Sequence, residues 1–307
     1  MVKNLNRRIW SFAGLALVVG LGLALSLKNY QEPIKEDLVA EVGRAQIDTT
    51  SLIADAPVTQ GSTSNGGINS MDGMQPAVAA GAYLMGGKEL VGWKEDKRWP
   101  VASITKLLSA YTAESLMDPE QGVVVSQVAI DTIGDENGFK LGEIFKVRDL
   151  VKAMLITSSN DAAVALAQNY GQADFVSEMN AVARRAGMSN SQFVEPTGLS
   201  VQNQSTVEDL VKLIQYIWRE NQEFFQITRR STDFIVDTNL GVERQLININ
   251  QFAGDPDFLG GKTGTLPEAD SNLISVFDVP NFGEPVIVVV LGSKDRFTET
   301  RNILLDL

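Results

Sequence analysis

VASITKLLSA, residues 101–110, sets Ser103 three positions before Lys106 at the head of an otherwise apolar run. The run follows Pro100 and predicts a helix starting near Ser103, in which positions i and i+3 share a face and the hydroxyl meets the amine. A serine hydroxyl is a weak nucleophile until a base removes its proton, and a lysine amine is such a base only when burial or a second cation lowers its pKa. Alone the motif says little. Average composition produces about one S-x-x-K in a chain of this size, and a polar helix start followed by a lysine lying along the surface explains it as well.

The rest of the composition narrows the options. Among 307 residues there is no histidine and no cysteine. That excludes a Ser-His-Asp triad, thiol catalysis, disulfides and His- or Cys-based metal sites, leaving lysine, carboxylate or tyrosine to activate a serine. The formal net charge of −12 argues against a nucleic-acid partner, which needs a basic surface to displace counterions.

From Ile9 to Leu27 run 19 residues without a charge, preceded by Lys3, Arg7 and Arg8. This is long enough to cross a bilayer as a helix, and the basic flank keeps the N-terminus inside and sends the remainder outward. Residues 1–28 therefore read as a cytoplasmic stub and transmembrane anchor, with a cleaved signal peptide as the alternative; Ala24 and Ser26 would be the small residues before a cut. Residues 29–72 are expected to be a flexible tether, rich in Ser, Thr, Gly, Asn and Asp from about position 44. The localisation implied is extracytoplasmic and membrane-anchored, with the N-terminal helix as the membrane contact.

The folded domain is expected over residues 73–307. AVAAGAYLM (77–85) and ELVGW (89–93) around Gly86 and Gly87 predict a β-hairpin. Helical spacing of apolar residues recurs over 147–156 and 174–186, with Gly187 as a stop. Ser205 and Glu208 have the spacing of a capping box ahead of another helix. DFIVD (233–237), a segment through Lys262, NLISVFDV (272–279) and PVIVVVLG (285–292) predict strands, and a closing helix starts at Arg296. Early and late strands sharing one sheet, with the helices inserted between them, make an α+β fold.

Two further stretches carry chemistry. LITSSNDAAVAL (155–166) places Ser158 and Asn160 between two helical runs, where a loop and helix cap would be the ordinary reading. FLGGKTGTLPEAD (258–270) carries Lys262, Thr263 and Gly264, where a Gly-rich turn with an exposed lysine would be the ordinary one. Together and in this order, S-x-x-K, S-x-N and K-T-G resemble the signature of the penicillin-recognising serine enzymes. KLGEIFKVRDLVKAMLITSSNDAA (140–163), FVEPTGLS (193–200), STVEDLVKL (205–213), NIN (248–250) and LGSKDRFTETRNILL (291–305) look like the D-alanyl-D-alanine carboxypeptidase family, a likeness extending over roughly residues 75–307.

The resemblance implies a β-lactamase/transpeptidase-like fold: about five antiparallel strands flanked by helices, with an inserted all-helical subdomain. It implies that Ser103 is the nucleophile toward D-Ala-D-Ala, that Lys106 is its base and that Ser158 relays a proton to the leaving amine. Asn160 would hold the substrate amide and help position Lys106. Lys262, Thr263 and Arg296 would meet the terminal carboxylate, Lys262 doubling as the second cation that keeps Lys106 deprotonated. The backbone N–H groups of Ser103 and Thr265 would form the oxyanion hole beside Gly264. No metal or cofactor is required; the partners are peptidoglycan stem peptides and β-lactams. The chain departs from the family with Ser159 in the middle of S-x-N and Glu195 where asparagine is common. The alternatives are a DD-endopeptidase acting on cross-links, a serine β-lactamase using Glu195, and a catalytically silent wall-binding homologue.

Overall fold

The computed structural model describes residues 77–134 and 138–307, so the expected anchor and tether lie outside the described residues. Among the described residues, no helix is long and apolar enough to cross a membrane.

Strands β1 (Ala79–Leu84) and β2 (Glu89–Trp93) form the expected hairpin, and Gly87 at its turn has φ +99°, a conformation that favours glycine. β3 (Trp99–Pro100) leads into one 3-10 turn (Ala102–Ile104) and helix α1 (Thr105–Leu116). β4 (Gly122–Val124), α2 (Gln127–Ile130) and β5 (Ile144–Lys146) precede the helical body. That body contains α3 (Val147–Ile156), α4 (Asn160–Tyr170) and α5 (Gln172–Arg185), then β6 (Gln204–Ser205), α6 (Val207–Glu220) and α7 (Phe224–Arg229). The chain closes with β7 (Thr232–Val236), β8 (Glu243–Ile247), β9 (Phe258–Leu266), β10 (Asp270–Phe277), β11 (Val286–Ser293) and α8 (Arg296–Leu305).

Five of these strands make one antiparallel sheet in the order β2-β1-β11-β10-β9, so the first hairpin joins the last three strands around the inserted helices. The pleat sorts side chains by parity. Val286, Val288 and Val290 pack on one face with Phe258, Leu273, Phe297 and Ile303 under α8. Ile287, Val289 and Leu291 pack on the other against the helical body. Both faces are covered, which is why β11 reads as an unbroken apolar run rather than an alternating one.

Three details differ from the sequence expectation. The DFIVD strand is not in the main sheet; β7 pairs with β8 in a separate two-stranded ribbon. The residue capping α6 is Thr206, one position later than expected, and its hydroxyl accepts from Asp209 N at 3.1 Å. The helix of Lys106 begins as a 3-10 turn, with Ala102 at φ +50°.

Candidate active site

Three elements meet at the edge of the sheet. β9 is the edge strand, and it packs against the 3-10 turn that carries Ser103. Gly264 makes that approach possible: a Cβ there would lie 2.7 Å from Val101 O and 3.0 Å from Ser103 N. Any larger residue would push the strand off the turn. The glycine of K-T-G thus has a steric reason: it brings the backbone of β9 at Gly264 against the backbone of Ser103.

Lys106, on the first turn of α1, is fully buried. Its Nζ lies 3.0 Å from Ser103 Oγ and donates to Asn160 Oδ1 and to the Thr197 carbonyl, each at 2.6 Å. Asn160 Nδ2 in turn donates to Ile133 O at 2.9 Å, which fixes the orientation of the amide.

Ser158 sits in the break between α3 and α4. Ser159 is the cap of α4, its hydroxyl accepting from Ala162 N at 3.0 Å, while its own N–H donates to Ala153 O at 3.1 Å. Reversing direction between two helices in so few residues forces Ser158 to φ +64°, a strained region for a residue with a side chain. The result aims its hydroxyl across the site, where it accepts from Lys262 Nζ at 2.8 Å. Of the two adjacent serines, one serves the helix and the other faces the cleft.

Lys262 is 1% exposed, which corrects the picture of a surface lysine on a Gly-rich turn. Its Nζ also donates to Thr263 O at 2.9 Å. Burial, then Lys106, then Arg296 push the Lys262 amine well below the usual lysine range. Repulsion is mutual, so the two buried amines do not comfortably hold two charges. Ser103 and Ser158 remain partly exposed, so two accessible hydroxyls stand on two buried amines.

Arg296, at the start of α8, reaches the far end of β9. It donates to Gly264 O at 2.9 Å and to Thr265 Oγ1 at 2.7 Å, leaving a guanidinium beside the strand edge. Thr263 is buried, with its register partner Leu273 on the α8 face of the sheet.

Two contributors were not anticipated. The Thr197 carbonyl is a backbone group in a loop, invisible to residue-type reasoning. Asn272 donates to Pro100 O at 2.9 Å and accepts from Gly292 N at 2.8 Å, joining β10 to the segment before Ser103. Nothing in the sequence singled it out, since Asp270, Ser271 and Ser275 of the same strand are polar too.

A family model for D-alanyl-D-alanine carboxypeptidases matches residues 70–295. This chain belongs to that family. It is 38% identical over 151 residues to a D-alanyl-D-alanine endopeptidase of Pseudomonas aeruginosa, covering 46% of this chain and 48% of the relative. The chain therefore spans about half the length of that relative. Among solved structures it resembles a D-alanyl-D-alanine carboxypeptidase of Mycobacterium tuberculosis H37Rv, with TM-score 0.70 and 26% identity over 79% of this chain and 93% of that one. It also resembles penicillin-binding protein D2 of Listeria monocytogenes in its ampicillin-bound form, with TM-score 0.62 and 31% identity over 75% of this chain and 96% of that one. The expected α+β transpeptidase-like fold is thereby borne out.

Proposed function

We propose that this chain is a serine D-alanyl-D-alanine carboxypeptidase that removes the terminal D-alanine from peptidoglycan stem peptides, on the outer side of a membrane to which its N-terminal segment ties it. The observation that carries the reading is the setting of Lys106. A neutral lysine has two N–H donors and one lone pair. Asn160 Oδ1 and Thr197 O take the two donors, which leaves the lone pair facing Ser103 Oγ at 3.0 Å. That is the geometry of a general base on a nucleophile.

The reaction follows from the placement of the groups. Lys106 takes the Ser103 proton as Oγ attacks the penultimate carbonyl carbon. The oxyanion is met by backbone N–H groups of Ser103 and Thr265. The C–N bond then breaks, and the departing D-alanine amine receives a proton through Ser158, which Lys262 supports by its 2.8 Å hydrogen bond. Water hydrolyses the Ser103 ester. The substrate carboxylate is met by Arg296, Lys262 and the threonines of β9. A β-lactam presents a carbonyl and a carboxylate at similar spacing and would acylate the same serine.

A DD-endopeptidase acting on cross-links is the second reading, favoured by the name of the Pseudomonas relative. A β-lactamase reading is not favoured, because both oxygens of Glu195 are occupied by donors of its own loop rather than aimed at a water near Ser103. The test is to follow release of free D-alanine from a pentapeptide ending in D-Ala-D-Ala, beside cleavage of a cross-linked muropeptide dimer. Faster D-alanine release supports the carboxypeptidase; faster dimer cleavage moves the assignment to the endopeptidase; neither would refute both.

A further inference from the structure

The segment from Val194 to Ser200 has neither helix nor strand, yet it supplies the Thr197 carbonyl that accepts from Lys106. Its shape is held by Glu195. One carboxylate oxygen accepts from Thr197 N at 2.6 Å and from the Thr197 hydroxyl. The other accepts from Gly198 N at 2.7 Å, Ser200 N at 3.3 Å and Asn203 Nδ2 at 2.8 Å. Every partner is a donor, and the two oxygens of an ionised carboxylate accept from all of them. A glutamine here would turn its NH2 toward backbone N–H groups whichever way its amide lay.

The same network fastens the loop to the nucleophile. Asn203 Nδ2 reaches Thr105 Oγ1, at the start of α1, at 3.2 Å, and Asn203 Oδ1 accepts from Val194 N at 2.8 Å. Gly198, at φ +84°, lies so close to the turn before Ser103 that a Cβ would stand 2.0 Å from Ala102 O. Glu195 touches neither Ser103 nor any group assigned to the substrate. What it controls is where the Thr197 carbonyl sits.

We propose that Glu195 is a positioning residue for the general base: its carboxylate fixes the Thr197 carbonyl that orients the Lys106 amine toward Ser103. The proposal rests on Lys106 acting as the base. Without the fixed carbonyl, the neutral amine rotates and its lone pair leaves Ser103, so the chemical step slows while binding at the β9 edge is unaffected. The protonated amine also loses an acceptor, which moves the acidic limb of the acylation profile to lower pH. The groups titrating in that limb are Lys106 and Lys262, with Arg296 cationic nearby.

The experiment measures acylation by a fluorescent penicillin across pH for the full chain and for Glu195→Gln and Glu195→Asp. Each rate is normalised to the acylable fraction, and folding is checked by circular dichroism. Glu195→Gln should lower the limiting acylation rate about 10- to 100-fold, the scale of a misplaced catalytic group, with the half-saturating penicillin concentration unchanged and the acidic limb moved down. Glu195→Asp, a carboxylate one methylene shorter, should recover part of the rate. Unchanged rate and limb in folded Glu195→Gln would overturn the proposal and leave the function reading standing. A smaller folded fraction in both variants, with the normalised rate and the limb unchanged, would also overturn it, making Glu195 a fold determinant only. A wild-type chain that penicillin does not acylate removes the function reading and this proposal with it.

Discussion

Under α8, Phe252, Phe258, Phe277 and Phe297 meet with ring centroids 5.2–6.1 Å apart, on the face of the sheet that also buries Val286, Val288 and Val290. At the β9 edge, on the helical side, two lysines are buried within repelling distance, and Ala102 and Ser158 hold positive φ. The first region gains free energy from burying apolar area and from edge-to-face rings. The second spends free energy on desolvated charge and strained backbone, of order 1–3 kcal/mol for each strained residue. One sheet thus carries a region that stabilises and a region that holds reactive groups in place.

Substitutions can break this division or sharpen it. The largest effect is expected from Lys262→Met, which removes the donor to Ser158 and the charge beside Lys106; acylation should fall by about 10²–10⁴. Stability should move the other way with pH. The folded amine lies below the ordinary lysine value of about 10.4, so the unfolded chain binds more protons between the two and wild-type stability rises with pH toward 10.4. Relative to wild type, the variant should therefore be most favoured near neutral pH and lose that advantage as pH climbs. Parallel stability curves from pH 7 to 10.5 by urea unfolding would contradict the lowered pKa of the buried Lys262 amine.

Phe258→Ala tests the other face. It should cost about 3–5 kcal/mol of stability by removing a fully buried ring, while the folded fraction keeps its acylation rate. A slowed rate in the folded fraction would show that the two faces are not separable.

The smallest effect concerns Glu114 on α1, whose pKa burial raises to about 7. The folded state then holds the proton more tightly than the unfolded one, so this contribution is present below about pH 4.3 and is lost as pH rises through 7. Glu114→Gln should match wild type at pH 4 and exceed it at pH 8, by about 1–2 kcal/mol after allowing for partial exposure. Acylation should not change.

Most of the site was legible because its chemistry lies in side chains at fixed spacings. Ser103 and Lys106 one turn apart, Ser158 between two helical runs and Lys262 among glycines are all patterns a sequence displays. Four strands of the main sheet, β1, β2, β10 and β11, were legible as largely apolar runs. The Gly- and Thr-rich β9 was expected only as a segment through Lys262, and the count of five came from the family resemblance. Backbone groups and long-range fit were not legible. The Thr197 carbonyl has no residue type to announce it, and Glu195 could be seen only as a departure from a pattern, because its five donors are set by the fold of a loop. The exclusion of β7 from the main sheet was equally hidden: its partner Glu243–Ile247 opens with three consecutive polar residues, so it resembles a loop.

The central claim is that Lys106 makes Ser103 a nucleophile. The most direct test is intact-mass and peptide mass spectrometry of the chain after penicillin, beside Ser103→Ala and Lys106→Ala. One penicilloyl adduct on the peptide containing Ser103, formed by wild type and absent from both variants, is the predicted result. An adduct on another residue, or wild-type labelling speed in Lys106→Ala, would contradict it.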